Sequence, residues 1–208
     1  MRTSRLGVVP LFILVGLLFI LPARGQELRV ISGLRVSKGL GYANPDFVAG
    51  LAPEYQSKRF LFRGEALYRS AHKLETADGY AYTARAEFYS KFSRFYAGGG
   101  LNYSRTITSL WSKASVRPLV AGGVEGRLEG KYPMRLFGYY IFKGSDERNG
   151  LQGPGLRLEI DVKPKVRITA FELDVYRFYP TDQPTLGAKT GFRYGASVSY
   201  VLAGRKQE

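Results

Sequence analysis

The residue types that support enzyme or metal chemistry are scarce in this chain. Its 208 residues include one histidine, His72, and no cysteine. Asp78, the acid that could pair with His72, lies six residues after it. A catalytic pair of a histidine and a serine two residues after it is absent, because Leu74 stands at that position. A lone histidine of this kind is more often a surface residue than a catalytic one. We therefore expect no catalytic residue, no transition-metal site and no cofactor.

Charged residues that alternate with apolar ones are the other candidates for chemistry. In GLRLEIDV (155–162), four apolar residues alternate with Arg157, Glu159 and Asp161. Successive side chains of a β-strand point to opposite faces, so this segment has one apolar and one ionic face. The same division recurs along the chain. The ionic faces together supply the predicted interior network: Arg63, Glu65, Arg85, Glu87, Arg117, Glu125, Arg127, Arg157, Glu159, Asp161, Arg167 and Arg193.

The charges of neighbouring segments are complementary. Hairpins centred near residue 75 and on Pro164 place Arg63 opposite Glu87, Glu65 opposite Arg85, and Asp161 opposite Arg167. Such cross-strand pairs stabilise a sheet by about 0.2 to 1 kcal/mol each. In an enclosed interior they matter more, because an unpaired buried charge is strongly destabilising.

The elements that position these side chains are predicted to be all β. Period-2 alternation predicts about ten strands, with eight or twelve as alternatives, and no amphipathic helix. The segment near 165–179 keeps its alternation only if a β-bulge lies near Ala170. The predicted strands are 27–37, 46–56, 59–71, 79–91, 93–105, 114–129, 131–143, 155–163, 165–179 and 190–203.

The connections between these segments alternate in length. QSK, KFS, EGK and KPK are short, whereas SKGLGYANPD, HKLETADGY, SRTITSLWSK, GSDERNGLQGPG and PTDQPTLGAKT are long. Short turns at one end and long loops at the other are typical of antiparallel membrane barrels, in which apolar side chains face lipid and charged ones face the interior. The sequence therefore predicts a closed antiparallel transmembrane β-barrel.

Basic residues concentrate at the short connections. A ring of cations at one rim of a membrane barrel would favour anionic lipid headgroups, although solubility and turn chemistry explain the same residues equally well. The predicted basic rim comprises Lys58, Arg59, Lys91, Arg94, Lys131, Lys163 and Lys165.

The N-terminal segment is predicted to be an export signal. Arg2 and Arg5 precede an apolar run from Leu6 to Leu21, and the small residues Ala23 and Gly25 follow it. The run is shorter than the roughly 18 residues that suggest a spanning helix, so we expect a cleaved signal at residues 1–25 and a single barrel domain at 26–208. The formal net charge of +14 is compatible with several acidic partners and does not choose among them.

With its signal, aromatic-rich alternating strands and alternating connections, the chain resembles small bacterial outer-membrane β-barrel proteins of the OmpA/OmpX-like kind. One departure is the C-terminus, where AGRKQE follows Leu202 instead of a closing aromatic residue. The resemblance implies a monomer in the outer membrane of a Gram-negative-type bacterium. It also implies contact with outer-membrane lipids, including anionic headgroups or lipopolysaccharide, and loops free to meet an unknown surface ligand.

From the charged faces of the strands we expect an interior plugged by charged side chains, and hence a structural or surface-interaction role. Two alternatives stay open: a narrow porin-like channel for small solutes, and a soluble periplasmic β-barrel that binds an acidic polymer. We expect no enzyme, an outer-membrane hydrolase being the less favoured reading, and no nucleic-acid partner.

Overall fold

The computed structural model describes residues 25–39, 42–74, 77–108, 112–142, 149–178 and 189–204. The predicted signal, except for Gly25, and the C-terminal residues 205–208 lie outside these ranges. No helix in the described ranges is long and apolar enough to cross a membrane. The strands are β1 (Gln26–Gly39), β2 (Tyr42–Gln56), β3 (Phe60–Leu74), β4 (Ala77–Phe92), β5 (Phe95–Thr108), β6 (Ser112–Leu128), β7 (Tyr132–Ile141), β8 (Asn149–Lys163), β9 (Val166–Phe178) and β10 (Lys189–Gly204).

The ten strands form one closed barrel. Each strand pairs antiparallel with its neighbours in sequence, and β1 also pairs with β10, so no sheet edge is left open. Closure satisfies the backbone hydrogen bonds of every strand, which a barrel in lipid requires. The predicted all-β barrel of about ten strands is confirmed, and the counts of eight and twelve are excluded.

The strand registers place complementary charges side by side. Arg63 lies opposite Glu87 and Glu65 opposite Arg85 in the β3–β4 pair. Asp161 lies opposite Arg167 in the β8–β9 pair. These are the three pairings that the sequence predicts from the positions of the two hairpins.

A β-bulge interrupts β9 where the sequence loses its alternation. Leu158 pairs with Phe171 and Glu159 with Thr169, so Ala170 is the extra residue. The bulge resets the faces, and the residues that point inward change from odd to even numbers. Glu172 and Asp174 thereby join Arg167 in the interior. The predicted bulge near Ala170 is confirmed.

The connections differ from the prediction at one end of the barrel. Short turns at 57–59, 93–94, 129–131 and 164–165 lie at the same end as the start of β1 and the end of β10, and we call this the short-turn end. At the opposite end the strand bounds leave only residues 40–41, 75–76 and 109–111 in three connections that were predicted to be long.

The prediction of five long loops is therefore wrong for three of them, and long connections remain only between β7 and β8 and between β9 and β10. The polar and glycine-containing sequence at these three places suggested turns. Backbone pairing does not depend on side-chain polarity, however, and strands that extend beyond the apolar band need no apolar outer face.

Candidate functional site, the charged interior of the barrel

The barrel carries its charges inside and its apolar side chains outside. In the segment 155–162, Arg157 and Glu159 are only 4% and 3% exposed, whereas the adjacent Leu156 is 38% exposed. Large apolar residues such as Leu101, Val120 and Val198 are about half exposed on the outer wall. Water does not favour such a continuous apolar outer surface, but hydrocarbon does, so this is the surface of a membrane-spanning barrel.

The interior network near the short-turn end is centred on two carboxylates. Glu54 accepts hydrogen bonds from Arg135 at 3.0 Å and from Arg167 at 2.6 Å. Glu159 accepts one from Arg63 and lies 3.5 Å from Arg135. Each carboxylate thus bridges arginines from different strands, which ties opposite walls of the barrel together.

The middle of the interior is organised around Glu172. Arg35 donates to Glu172 at 2.5 Å and Arg157 donates to it at 3.3 Å. Glu65 lies 3.4 Å from Arg35 and 3.7 Å from Arg157, so it shares both cations with Glu172. Arg85 is 3.8 Å from Glu87 on its own strand. This layer joins β1, β3, β8 and β9 across the barrel.

A third group lies toward the end opposite the short turns. Arg193 donates to Asp174 at 2.5 and 2.9 Å, and the hydroxyl of Tyr139 donates to it at 2.6 Å. Arg69 pairs with Asp46 at 3.2 Å. Asp46 and Asp174 are nearly inaccessible, so their charges depend on these partners.

One sector of the interior is apolar. Leu61, Tyr89, Tyr96 and Phe137 form a buried cluster between β3 and β7. The guanidinium of Arg63 lies 4.9 Å from the centre of the Phe137 ring, within the range of cation–π attraction. Aromatic rings and arginine planes therefore share the interior and fill it together.

The interior charges nearly balance in sign. Among the described residues, nine arginines and seven acids are buried, and the partly buried Glu65, Asp161 and Arg69 belong to the same network. Removing one partner from a buried pair costs much more than the pair itself contributes, so each charge holds its counterpart in place. In the described ranges, no group of histidine, cysteine and acid residues has the arrangement to hold a metal ion.

The structure brings most of the predicted network together. Glu65 and Asp161 are partly buried, and Glu125 lies nearer the short-turn end, where it binds Lys91 at 2.6 Å and accepts from the Tyr96 hydroxyl. Arg127 is exposed at the same end and lies outside the network. The remaining eight predicted residues are buried in the barrel: Arg63, Arg85, Glu87, Arg117, Arg157, Glu159, Arg167 and Arg193.

Several interior charges were missed in the sequence. Glu172 and Asp174 had a readable signal, since a bulge at Ala170 turns them inward. No sequence signal showed that Arg135 points inward, because β7 is apolar on both faces. On its inner face, Arg135 is followed by Phe137, Tyr139 and Ile141. The other missed interior residues are Glu27, Arg29, Arg35, Asp46, Glu54, Arg69 and Asn102.

The residues of the predicted basic rim lie at the short-turn end. Lys91 is half-buried and paired with Glu125, and Lys131 lies 5.2 Å from the centre of the Tyr132 ring. The exposed members are Lys58, Arg59, Arg94, Lys131, Lys163 and Lys165. His72 lies in β3, and its side chain is outside the described part of the chain.

Comparison with solved structures returns outer-membrane β-barrel proteins. Neisserial surface protein A is similar at 12% identity and a TM-score of 0.43, over 85% of this chain and 96% of that one. Outer-membrane phospholipase A from Escherichia coli matches at 12% identity, a TM-score of 0.38, and 84% and 92% coverage. An outer-membrane channel from Pseudomonas putida F1 matches at 13% identity, a TM-score of 0.40, and 86% and 96% coverage.

These TM-scores all lie below 0.5, so none of the matches assigns a family or an activity to the chain. The chain matches no protein-family model and no curated protein sequence.

Proposed function

We propose that this protein is an outer-membrane β-barrel with a closed interior, and that its role is structural or depends on surface contacts. The observation that carries the proposal is the filled interior. The gap among Arg35, Glu65, Arg85, Arg157 and Glu172 has a volume of about 30 Å³, which is room for about two water molecules. A path for hydrated ions would need these side chains to separate.

The near balance of interior charge also bears on the channel alternative. An anion-selective pore needs a surplus of positive charge along an open path. Here the arginines are bound to carboxylates: Glu54 binds two of them, and Glu172 binds two more. Their charge is therefore already neutralised within the protein, which favours a plug over a selectivity filter.

Conductance in a planar lipid bilayer tests the closed interior. We expect the purified protein to insert without producing unitary current steps. A variant with Arg157→Ser and Glu172→Ser removes one positive and one negative charge from the middle layer, so it leaves the net charge unchanged while shortening two plugging side chains. This control should conduct. Stable current steps from the wild-type protein would refute closure and favour the porin-like alternative.

Cell fractionation tests the proposed location. The protein should appear in the outer-membrane fraction and migrate faster on a detergent gel when it is not boiled, as a closed barrel would. Recovery from the soluble periplasm without detergent, with no heat-dependent shift, would favour the soluble alternative. N-terminal sequencing of the same material tests the predicted signal, for which we expect a first residue of Gln26.

We further propose that the exposed cations of the short-turn end bind anionic headgroups of the facing leaflet. Each cation held near an anionic membrane surface contributes about 1 kcal/mol of binding. The substitutions Lys58→Gln, Lys131→Gln and Lys165→Gln should therefore weaken binding to vesicles that contain phosphatidylglycerol, and leave binding to neutral vesicles unchanged. Equal binding of the triple variant and the wild type to the anionic vesicles would refute this contact.

A further inference from the structure

A cavity opens into the interior at the short-turn end. Its volume is about 730 Å³, which is within the range of pockets that hold small ligands. We call it the vestibule, and its charged lining consists of Lys91, Arg94, Arg127, Arg135, Arg167, Glu125, Glu159 and Asp161. Among the acids, Glu159 accepts a hydrogen bond from Arg63 and Asp161 accepts one from Arg167, so both carboxylates are already paired. It differs from the small gap in the middle of the barrel, which has no room for a ligand.

The cations of the vestibule fall into two groups. Lys91 is bound to Glu125, and Arg135 and Arg167 are bound to Glu54. Arg94 and Arg127 are exposed, and neither guanidinium has a hydrogen bond or an ion pair with any residue in the described ranges. The vestibule therefore presents two uncommitted guanidinium groups to solvent.

The backbone brings these two arginines to the same side of the vestibule. The amide of Glu125 donates to the carbonyl oxygen of Arg94 at 2.8 Å, which fixes the β4–β5 turn beside β6. Arg127 lies two residues beyond Glu125 on the same strand and faces the same way. Lys91 and the Tyr96 hydroxyl both bind the Glu125 carboxylate, so its negative charge is offset where an anion would enter.

We infer that the vestibule binds a small oxoanionic ligand, carrying phosphate or carboxylate groups, from the aqueous side of the short-turn end. The planar guanidinium matches two oxygens of such a group at once, and two guanidinium groups beside one cavity favour a ligand with more than one anionic centre. Pro133 and Met134 supply an apolar wall for the rest of the ligand. This inference requires the barrel fold but neither a closed interior nor lipid binding at the rim.

The test measures binding of inorganic pyrophosphate and of citrate to the full protein in non-ionic detergent, by isothermal titration calorimetry. The test variant carries Arg94→Gln and Arg127→Gln. The matched control carries Lys58→Gln and Lys165→Gln, which remove the same charge from exposed residues of the same end that do not line the vestibule. Heat-modifiable migration on an unboiled gel shows that each variant is folded.

We expect saturable binding of at least one of the two probes to the wild type. Its affinity should fall by about tenfold or more in the arginine variant and by less than about twofold in the lysine control. An equal loss in both variants would overturn the inference, because general surface charge would then explain the binding. So would the absence of saturable binding to the wild type up to roughly 10 mM of either probe.

Discussion

Removing the charge of Glu54 tests whether the interior network holds the barrel together. Glu54 accepts four hydrogen bonds, two from Arg135 at 3.0 and 3.5 Å and two from Arg167 at 2.6 and 3.3 Å. The Glu54→Gln substitution keeps the shape of the side chain but leaves both guanidinium groups short of a counter-charge. Two other acids compensate in part: Glu159 lies 3.5 Å from Arg135 and 3.7 Å from Arg167, and Asp161 accepts a hydrogen bond from Arg167 at 2.8 Å.

The expected cost follows from the burial of the two arginines. Breaking a buried ion pair by removal of one partner costs about 3 to 5 kcal/mol. Because Glu159 still lies nearby, we expect the unfolding free energy to fall by about 3 kcal/mol, the lower end of this range. This corresponds to roughly a hundredfold change in the folding equilibrium constant. The matched control is Glu129→Gln, because Glu129 is an exposed acid in the β6–β7 turn and should change stability by less than about 0.5 kcal/mol.

The assay is urea unfolding in lipid vesicles, with the folded fraction read from unboiled gels. The midpoint of Glu54→Gln should lie well below that of the wild type, while Glu129→Gln should unfold with the wild type. A shift for Glu54→Gln that stays within about 0.5 kcal/mol of its control would refute the reasoning, because the arginines would then not depend on this carboxylate.

Three further substitutions test the packing of the two faces by the same unfolding assay. Gly100→Ala should lower the unfolding free energy by about 1 to 3 kcal/mol, because the added Cβ would lie 1.9 Å from the carbonyl oxygen of Ala86. Its control, Gly138→Ala, should change stability very little, since a Cβ added there would have no packing neighbour within 4 Å. Equal losses of stability in the two variants would contradict this explanation. Val120→Arg should cost about 2 to 4 kcal/mol if its outward position faces the bilayer centre, and no loss would mean that it faces water. Tyr139→Phe should lower the unfolding free energy by about 0.5 to 1.5 kcal/mol, because it removes the hydrogen bond from the Tyr139 hydroxyl to Asp174. The control, Tyr140→Phe on the outer wall, should lower it by less. A larger loss for Tyr140→Phe than for Tyr139→Phe would show that this hydrogen bond is not the cause.

The barrel could be predicted from the sequence because one physical rule, the alternation of apolar and polar side chains along each strand, governs most of its strands. Strands such as β8 alternate strictly, and a membrane barrel sorts the two sets of side chains to lipid and interior. The positions of the hairpins then predicted which complementary charges, such as Arg63 and Glu87, lie opposite each other. Even the bulge at Ala170 could be found, since only an extra residue restores the alternation of β9.

The alternation failed where the interior is apolar. On β7, Phe137 faces inward against the aromatic rings of Tyr89 and Tyr96. Tyr139 also faces inward, in a second apolar cluster with Leu119, while Leu136 and Tyr140 face outward. With apolar residues on both faces, the pattern could not show that Arg135 points into the barrel. The inner face of β7 is identified by its contacts with Tyr89 and Tyr96, which lie on other strands. The sequence of β7 by itself holds no information about those contacts.

Most ion-pair partners of the interior charges also could not be predicted from the sequence of individual strands. Sequence reasoning finds pairs on adjacent strands, such as Asp161 and Arg167. The bonds from Arg63 to Glu159 and from Arg135 to Glu54 cross the interior between strands that are not neighbours. Such contacts depend on the diameter of the closed barrel. The vestibule was missed for the same reason, since its lining comes from several turns and strands that meet only after closure.

The most direct test of the central claim is to find out what surrounds the apolar outer wall. The chain has no cysteine, so Leu101→Cys, Val120→Cys and Val198→Cys each create a single site for a nitroxide spin label in vesicle-reconstituted protein. With the apolar residues facing lipid, the labels should collide frequently with dissolved oxygen and rarely with a water-soluble nickel chelate, whereas a label at Lys58→Cys in the exposed β2–β3 turn should show the opposite. Frequent nickel collisions at all three outer-wall sites would mean that the wall faces water, and the membrane-spanning account would be wrong.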